Sequence, residues 1–86
     1  MSYYSGEKAV PAGTAEPIAT HNPGINLVVR AAEDNTAVVY IGSENVTAAD
    51  GFPLGPNEWI SVSPAPEGLC CVASTSGQKL RWMVSK

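Results

Sequence analysis

The placement of proline and glycine constrains this chain more than any other feature. Seven prolines and eight glycines are spread along 86 residues. No window of a dozen residues is both free of them and apolar at a helical spacing. Proline removes a helix donor and clashes with the preceding turn, and glycine costs backbone entropy. An amphipathic helix therefore has nowhere to sit. The best candidate, RAAEDNTAVV at 30–39, is interrupted by the turn cluster Asp34, Asn35 and Thr36.

Strand signals are plentiful. INLVVRAA (25–32) alternates, with Ile25, Leu27, Val29 and Ala31 on one face and Asn26, Val28 and Arg30 on the other. AVVYIGS (37–43) is β-branched and aromatic, as in a strand covered on both faces. Glu33 to Thr36 reads as the turn between them, because Asp and Asn tolerate left-handed backbone and bond their own chain. Residues 25–43 are thus expected to form an antiparallel hairpin. EWISVS (58–63) alternates again, and GLCCVAST (68–75) reads as a central apolar strand. QKLRWMVS (78–85) puts Leu80, Trp82 and Val84 on one face. Ser76-Gly77 is expected to join the last two strands in a tight turn, and Pro64 to Gly68 to turn the chain before them. Upstream, EKAV and AEPIAT are separated by Pro11-Ala12-Gly13, and Pro17 confines its segment to a sheet edge. Seven to eight short strands predict an all-β fold, a small antiparallel β-sandwich or barrel, jelly-roll-like. It is expected to be one β domain over 1–86 with a flexible N-terminal arm of about residues 1–6.

A long segment, GSENVTAADGFPLGPNEWISV (42–62), looks chemically idle. It is too long for a hairpin and is expected to cross the sandwich. Gly51 permits unusual backbone, Pro53 and Pro56 stiffen it, and Phe52 and Leu54 anchor it in the core.

Composition excludes several functions. The net charge of −3, with the five basic residues Lys8, Arg30, Lys79, Arg81 and Lys86 scattered, argues against nucleic acid. Charged residues make up only 15% of the chain, below the usual ~25%. Such a charge-poor surface suits burial against partners. No long apolar run suggests a membrane span, and no secretory leader is evident. Cys70 and Cys71 are adjacent, so on a strand they face opposite ways. They are expected to be reduced thiols, at least one buried, because a redox or metal pair needs a spacer. The lone histidine, His21, sits in the turn THNPG and is expected to be solvated. Glu33-Asp34-Asn35 lacks the interlaced spacing of a calcium loop, and no nucleophile motif or phosphate-cradling glycine pattern appears. Asn45-Val46-Thr47 matches a glycosylation sequon by chance. No enzyme, cofactor or metal is expected. The aromatic residues are more suggestive. Tyr3 and Tyr4 are expected to dock the arm onto a partner, and Trp59 and Trp82 to belong to the core or its rim.

The stretch NTAVVYIGSENVTAADGFPLGPNEWISV, residues 35–62, resembles a group of small phage-encoded virion proteins. The shared pattern is V-Y-V-G, then V-T, then N-G-F-P-L, then P-G-E. Asp50 stands in place of Asn before Gly51, and Asn57 in place of Gly before Glu58. The likeness extends more loosely to SGEKAVPAGTAEPI, INLVVRAAEDN and the closing CVASTSGQKLRWMV. It implies an all-β particle component without catalytic residues, located in the virion and made in the host cytoplasm. The leading expectation is a capsid decoration or cement protein, a homo-oligomer, as a trimer, bridging subunits of the major capsid protein. The expected interface residues are Tyr3, Tyr4, Phe52, Trp59, Arg81 and Trp82. A tail, neck or fibre module and a carbohydrate-binding sandwich on the virion are the alternatives.

Overall fold

A computed structural model of the chain describes residues 3–18, 26–62 and 69–85. The described residues form eight strands: β1 (Tyr3–Val10), β2 (Glu16–Pro17), β3 (Asn26–Ala31), β4 (Val39–Gly42), β5 (Phe52–Leu54), β6 (Trp59–Val62), β7 (Cys70–Ala73) and β8 (Gln78–Ser85). They build two four-stranded sheets, β1-β8-β3-β6 and β2-β7-β4-β5. Every strand pairing within the two sheets is antiparallel. This is the strand order of a jelly roll, in which consecutive strands change sheet and only β4 and β5 pair with each other.

The hairpin expected over 25–43 does not form. β3 pairs with β6 and β8, whereas β4 pairs with β5 and β7 in the other sheet. The turn at 33–36 carries the chain across the sandwich. Ser76-Gly77, with Gly77 at φ 89°, likewise joins strands of different sheets. Two buried amides hold these crossings together. Asn35 Nδ2 donates to the Lys79 carbonyl at 2.9 Å, and the Lys79 N–H donates to Asn35 Oδ1 at 2.8 Å. The amide thus imitates a strand residue. Gln78 Oε1 accepts from the Thr36 and Ala37 N–H groups at 2.8 and 3.0 Å, and its Nε2 donates to Thr36 Oγ1 and the Ser76 carbonyl. Among the described residues no buried side-chain nitrogen or oxygen lacks a partner, as a thin core requires.

Between the sheets, Leu27, Val29 and Ala31 of β3 meet Val39 and Ile41 of β4, with Leu80, Val84 and Cys71 filling the centre. Alternation on β3 and β8 puts these residues inward, as the sequence predicts. Cys70 and Cys71 do face opposite ways. Cys71 joins the central core, and Cys70 joins a second, smaller cluster with Val46 and Val72 on the outer side of the β4-containing sheet. Burial pushes the Cys71 thiol up to about 12. The Cys70 thiol is also raised, by burial first and by the nearby Glu44 charge.

The idle-looking segment explains itself in this frame. Residues 52–54 are a strand, so the stretch does not simply cross the sandwich: β4 and β5 form a hairpin. Their connection folds over the outer face of its own sheet and seats Val46 there. Its tip is a turn closed by the Thr47 and Asp50 side chains. Thr47 N–H donates to Asp50 Oδ1 at 2.8 Å, and the Ala49 N–H donates back to Thr47 Oγ1 at 3.2 Å. Thr47 holds the Asp50 carboxyl below its usual range, its N–H contributing most and its hydroxyl, which donates to Asp50 Oδ1 at 3.0 Å, next. A Cβ at Gly51 would lie 2.6 Å from Tyr40 Cβ, which explains glycine there. The chain then crosses at Gly55-Pro56-Asn57-Glu58. Here the Glu58 N–H donates to the Gly55 carbonyl at 3.0 Å and Asn57 adopts φ 69°. Proline followed by a left-handed residue makes a type II turn, and asparagine is second only to glycine in that position.

Pro17 lies in β2 at a sheet edge, as expected. The N-terminal arm is not separate from the fold. Tyr3 to Gly6 belong to β1, paired in unbroken register with β8 from Tyr3↔Ser85 to Val10↔Gln78. Backbone pairing along all eight residues of β1 outweighs the lack of apolar pattern at its start. His21 and the turn at 64–68 lie outside the described residues.

Candidate functional site: the outer face of the β1-β8-β3-β6 sheet

Strand register assembles a transverse row of side chains on the solvent side of this sheet. Glu7 stands opposite Arg81, Arg81 opposite Arg30, and Arg30 opposite Trp59, one residue from each of the four strands. All four are exposed. The neighbouring row holds Ser5, Met83, Val28 and Ser61. Trp59 is 62% exposed and Met83 46%. A single face thus carries an indole, a thioether and two guanidiniums, the residue types enriched where proteins meet.

Trp59 was expected in the core or at its rim. It points outward because Ile60 and Val62 take the inward positions of β6, which leaves Trp59 and Ser61 to solvent. Arg30 and Arg81 are like charges directly across a strand pair, an arrangement that disfavours folding. Both are tethered. An Arg30 terminal nitrogen donates to Asn57 Oδ1, so the left-handed turn residue also orients a guanidinium. Arg81 Nε lies 3.6 Å from Glu7 Oε2, too far for a hydrogen bond, and both side chains are largely open to water. Arg30, Arg81, Ala32, Glu33 and Asn57 line a shallow depression of about 170 Å³.

The other expected interface residues are dispersed. Trp82 lies on the inward side of β8, half-buried against the core and over Gly6, whose Cβ would come 2.7 Å from Trp82 Cζ2. Tyr4 sits opposite Val84 on the inward side of β1, 40% exposed. Tyr3 is the first residue of β1. Phe52 lies on the edge strand of the other sheet. It is 56% exposed rather than tucked under the core, because β5 has no neighbour on its free side; Leu54, 2% exposed, is the anchor. The structure therefore unites Trp59 with Arg81 and separates both from Trp82 and Phe52. Arg30 and Asn57 complete the group and were not singled out from the sequence. The signal for Arg30 was present, since it alternates outward between Val29 and Ala31.

Among the described residues no three His, Cys, Asp or Glu side chains gather as metal ligands. No described helix is long and apolar enough to cross a membrane. Compared with known proteins, the chain matches no family model, no curated protein and no solved structure.

Proposed function

We propose that this protein is a non-catalytic structural component of a phage particle, a decoration or cement protein on the outer surface of the head. The observation that carries the reading is the Trp59–Arg30–Arg81–Met83 face, an exposed interface-type surface on a sandwich held rigid by paired strands and buried amides. The likeness of residues 35–62 to small virion proteins supplies the setting. A jelly roll alone would not choose, since the architecture serves virion, lectin and cupin proteins alike. The mechanism is binding free energy. A module that binds only the assembled, expanded shell stabilises that shell by linkage. Self-association as a trimer about a local threefold axis would present three such faces, and linked contacts raise one another's effective concentration. The major capsid protein is the partner in this reading.

The test is co-sedimentation of the purified protein with expanded empty heads, with thermal release of DNA from filled heads as a second readout. Saturable binding that raises the release temperature is the expected result. Failure to bind, or binding only to tails, would reject the head reading.

A second reading has its own observation. Trp59 offers an open ring face beside hydrogen-bonding Asn57 and Arg30, as a sugar-stacking platform would. Glycan-array binding that is lost in Trp59→Ala, with the fold retained, would favour it over the head protein.

A further inference from the structure

Three of the basic residues come together in space. Lys79 and Arg81 alternate with the buried Gln78 and Leu80 on β8, so both project from the outer face, and Arg30 stands beside Arg81 on β3. Three of the chain's five basic residues thus share one patch in a protein of net charge −3. Opposing them locally are Glu7, at 3.6 Å from Arg81, and Glu33 at the rim of the depression. Glu44 and Asp50 lie on the β4–β5 connection, over the outer face of the other sheet. Three cations therefore share one broad side of the sandwich and these two carboxylates sit on the other, while Lys8 is paired with Glu16 of β2 at 2.6 Å.

We infer that the Lys79–Arg81–Arg30 patch with Trp59 beside it is a docking site for an acidic, carboxylate-bearing segment of a partner protein. The proposal deepens the reading above and rests on it only for which protein supplies the segment. Three features point to this occupant. Guanidiniums receive carboxylates bidentately, and Asn57 already fixes one of the two. The Arg30–Arg81 juxtaposition is unfavourable in the free protein and is relieved when a carboxylate bridges the pair. The exposed indole supplies apolar area next to the charges, as a peptide with mixed acidic and aliphatic side chains needs. A nucleic acid, charged at every phosphate, meets the chain's net charge of −3 far more heavily than a segment with a few carboxylates does.

The probe is a capped synthetic peptide carrying glutamates and one leucine, with its glutamine counterpart as control. It is titrated into the isotopically labelled protein while the Trp59 indole N–H and the Arg30 and Arg81 Nε–H signals are followed by NMR. The glutamate peptide should shift all three saturably, the glutamine peptide should not, and R30Q/R81Q should bind at least ~10-fold more weakly with its spectrum otherwise intact. Should that variant fail to fold, R30K/R81K keeps the charge and loses the planar fork, and should bind several-fold more weakly. Equal shifts with both peptides, or undiminished binding by the variants, would overturn the site. So would tighter binding of a DNA oligonucleotide or an oligosaccharide, or a change of molar mass in R30Q/R81Q that makes a second copy the occupant. The two readings fail separately. Wild-type protein that ignores heads yet binds the peptide removes only the head protein, whereas R30Q/R81Q that decorates heads normally removes only this site.

Discussion

Gln78, 2% exposed, bonds the Thr36 and Ala37 N–H groups that the β3–β4 crossing would otherwise leave without partners. Gln78→Leu keeps the volume and removes every one of those bonds. It is expected to cost about 1–3 kcal/mol, because the part-buried donors it strands forfeit desolvation energy. The shift of the urea midpoint measures it, and a change within ~0.5 kcal/mol would contradict the role. Asn57 makes a finer distinction. Its φ of 69° should make Asn57→Val cost about 1–2 kcal/mol while Asn57→Gly stays near neutral. Cys71 gives a pH signature. Its folded thiol holds its proton up to about 12, whereas the unfolded thiol releases it near ~8.5. Burial of this thiol is therefore fully stabilising below the unfolded value and is lost as pH rises from there toward the folded one, by up to about 1.4 kcal/mol per pH unit. Urea midpoints at about pH 8 and about pH 10.5 should fall further in the wild type than in Cys71→Ala; parallel losses would refute the assignment.

At the scale of elements, β1 decides how the N-terminus behaves. Removing residues 1–6 takes away half of an eight-residue strand and uncovers the β8 backbone and Trp82. The deletion should lower the melting temperature markedly and alter the near-ultraviolet signal of Trp82. An unchanged melting curve would restore the idea of a separate arm. The strands themselves were legible because alternation and β-branching are local: the inward faces of β3 and β8 follow from residues two apart. Their pairing was not. A short polar turn between two strands reads as a hairpin unless something outside the window draws them into different sheets. Here that something is Asn35 and Gln78, whose partners lie 44 and 42 residues away along the chain. The candidate site was half legible for the same reason. Trp59 and Arg81 stood out by type, but only strand register brings Arg30 between them. Asn57 was noted only as standing in place of a glycine, and its bond to Arg30 spans 27 positions.

As a whole molecule the protein is two sheets with contrasting outer sides. One is partly closed by the β4–β5 connection, which seats Val46 over Cys70 and Val72. The other is open and carries Trp59, Met83, Arg30, Arg81 and Lys79. An open interface-type side and a covered side suit a module that lies flat on a larger surface. In the proposed setting the open side faces the shell. Cryo-electron microscopy of expanded heads incubated with the protein tests this most directly. The account predicts added density on the outer surface at local threefold positions, with the β1-β8-β3-β6 sheet against the capsid subunits and Trp59 in the contact. Heads without added density, or density that presents the opposite sheet to the shell, would contradict it.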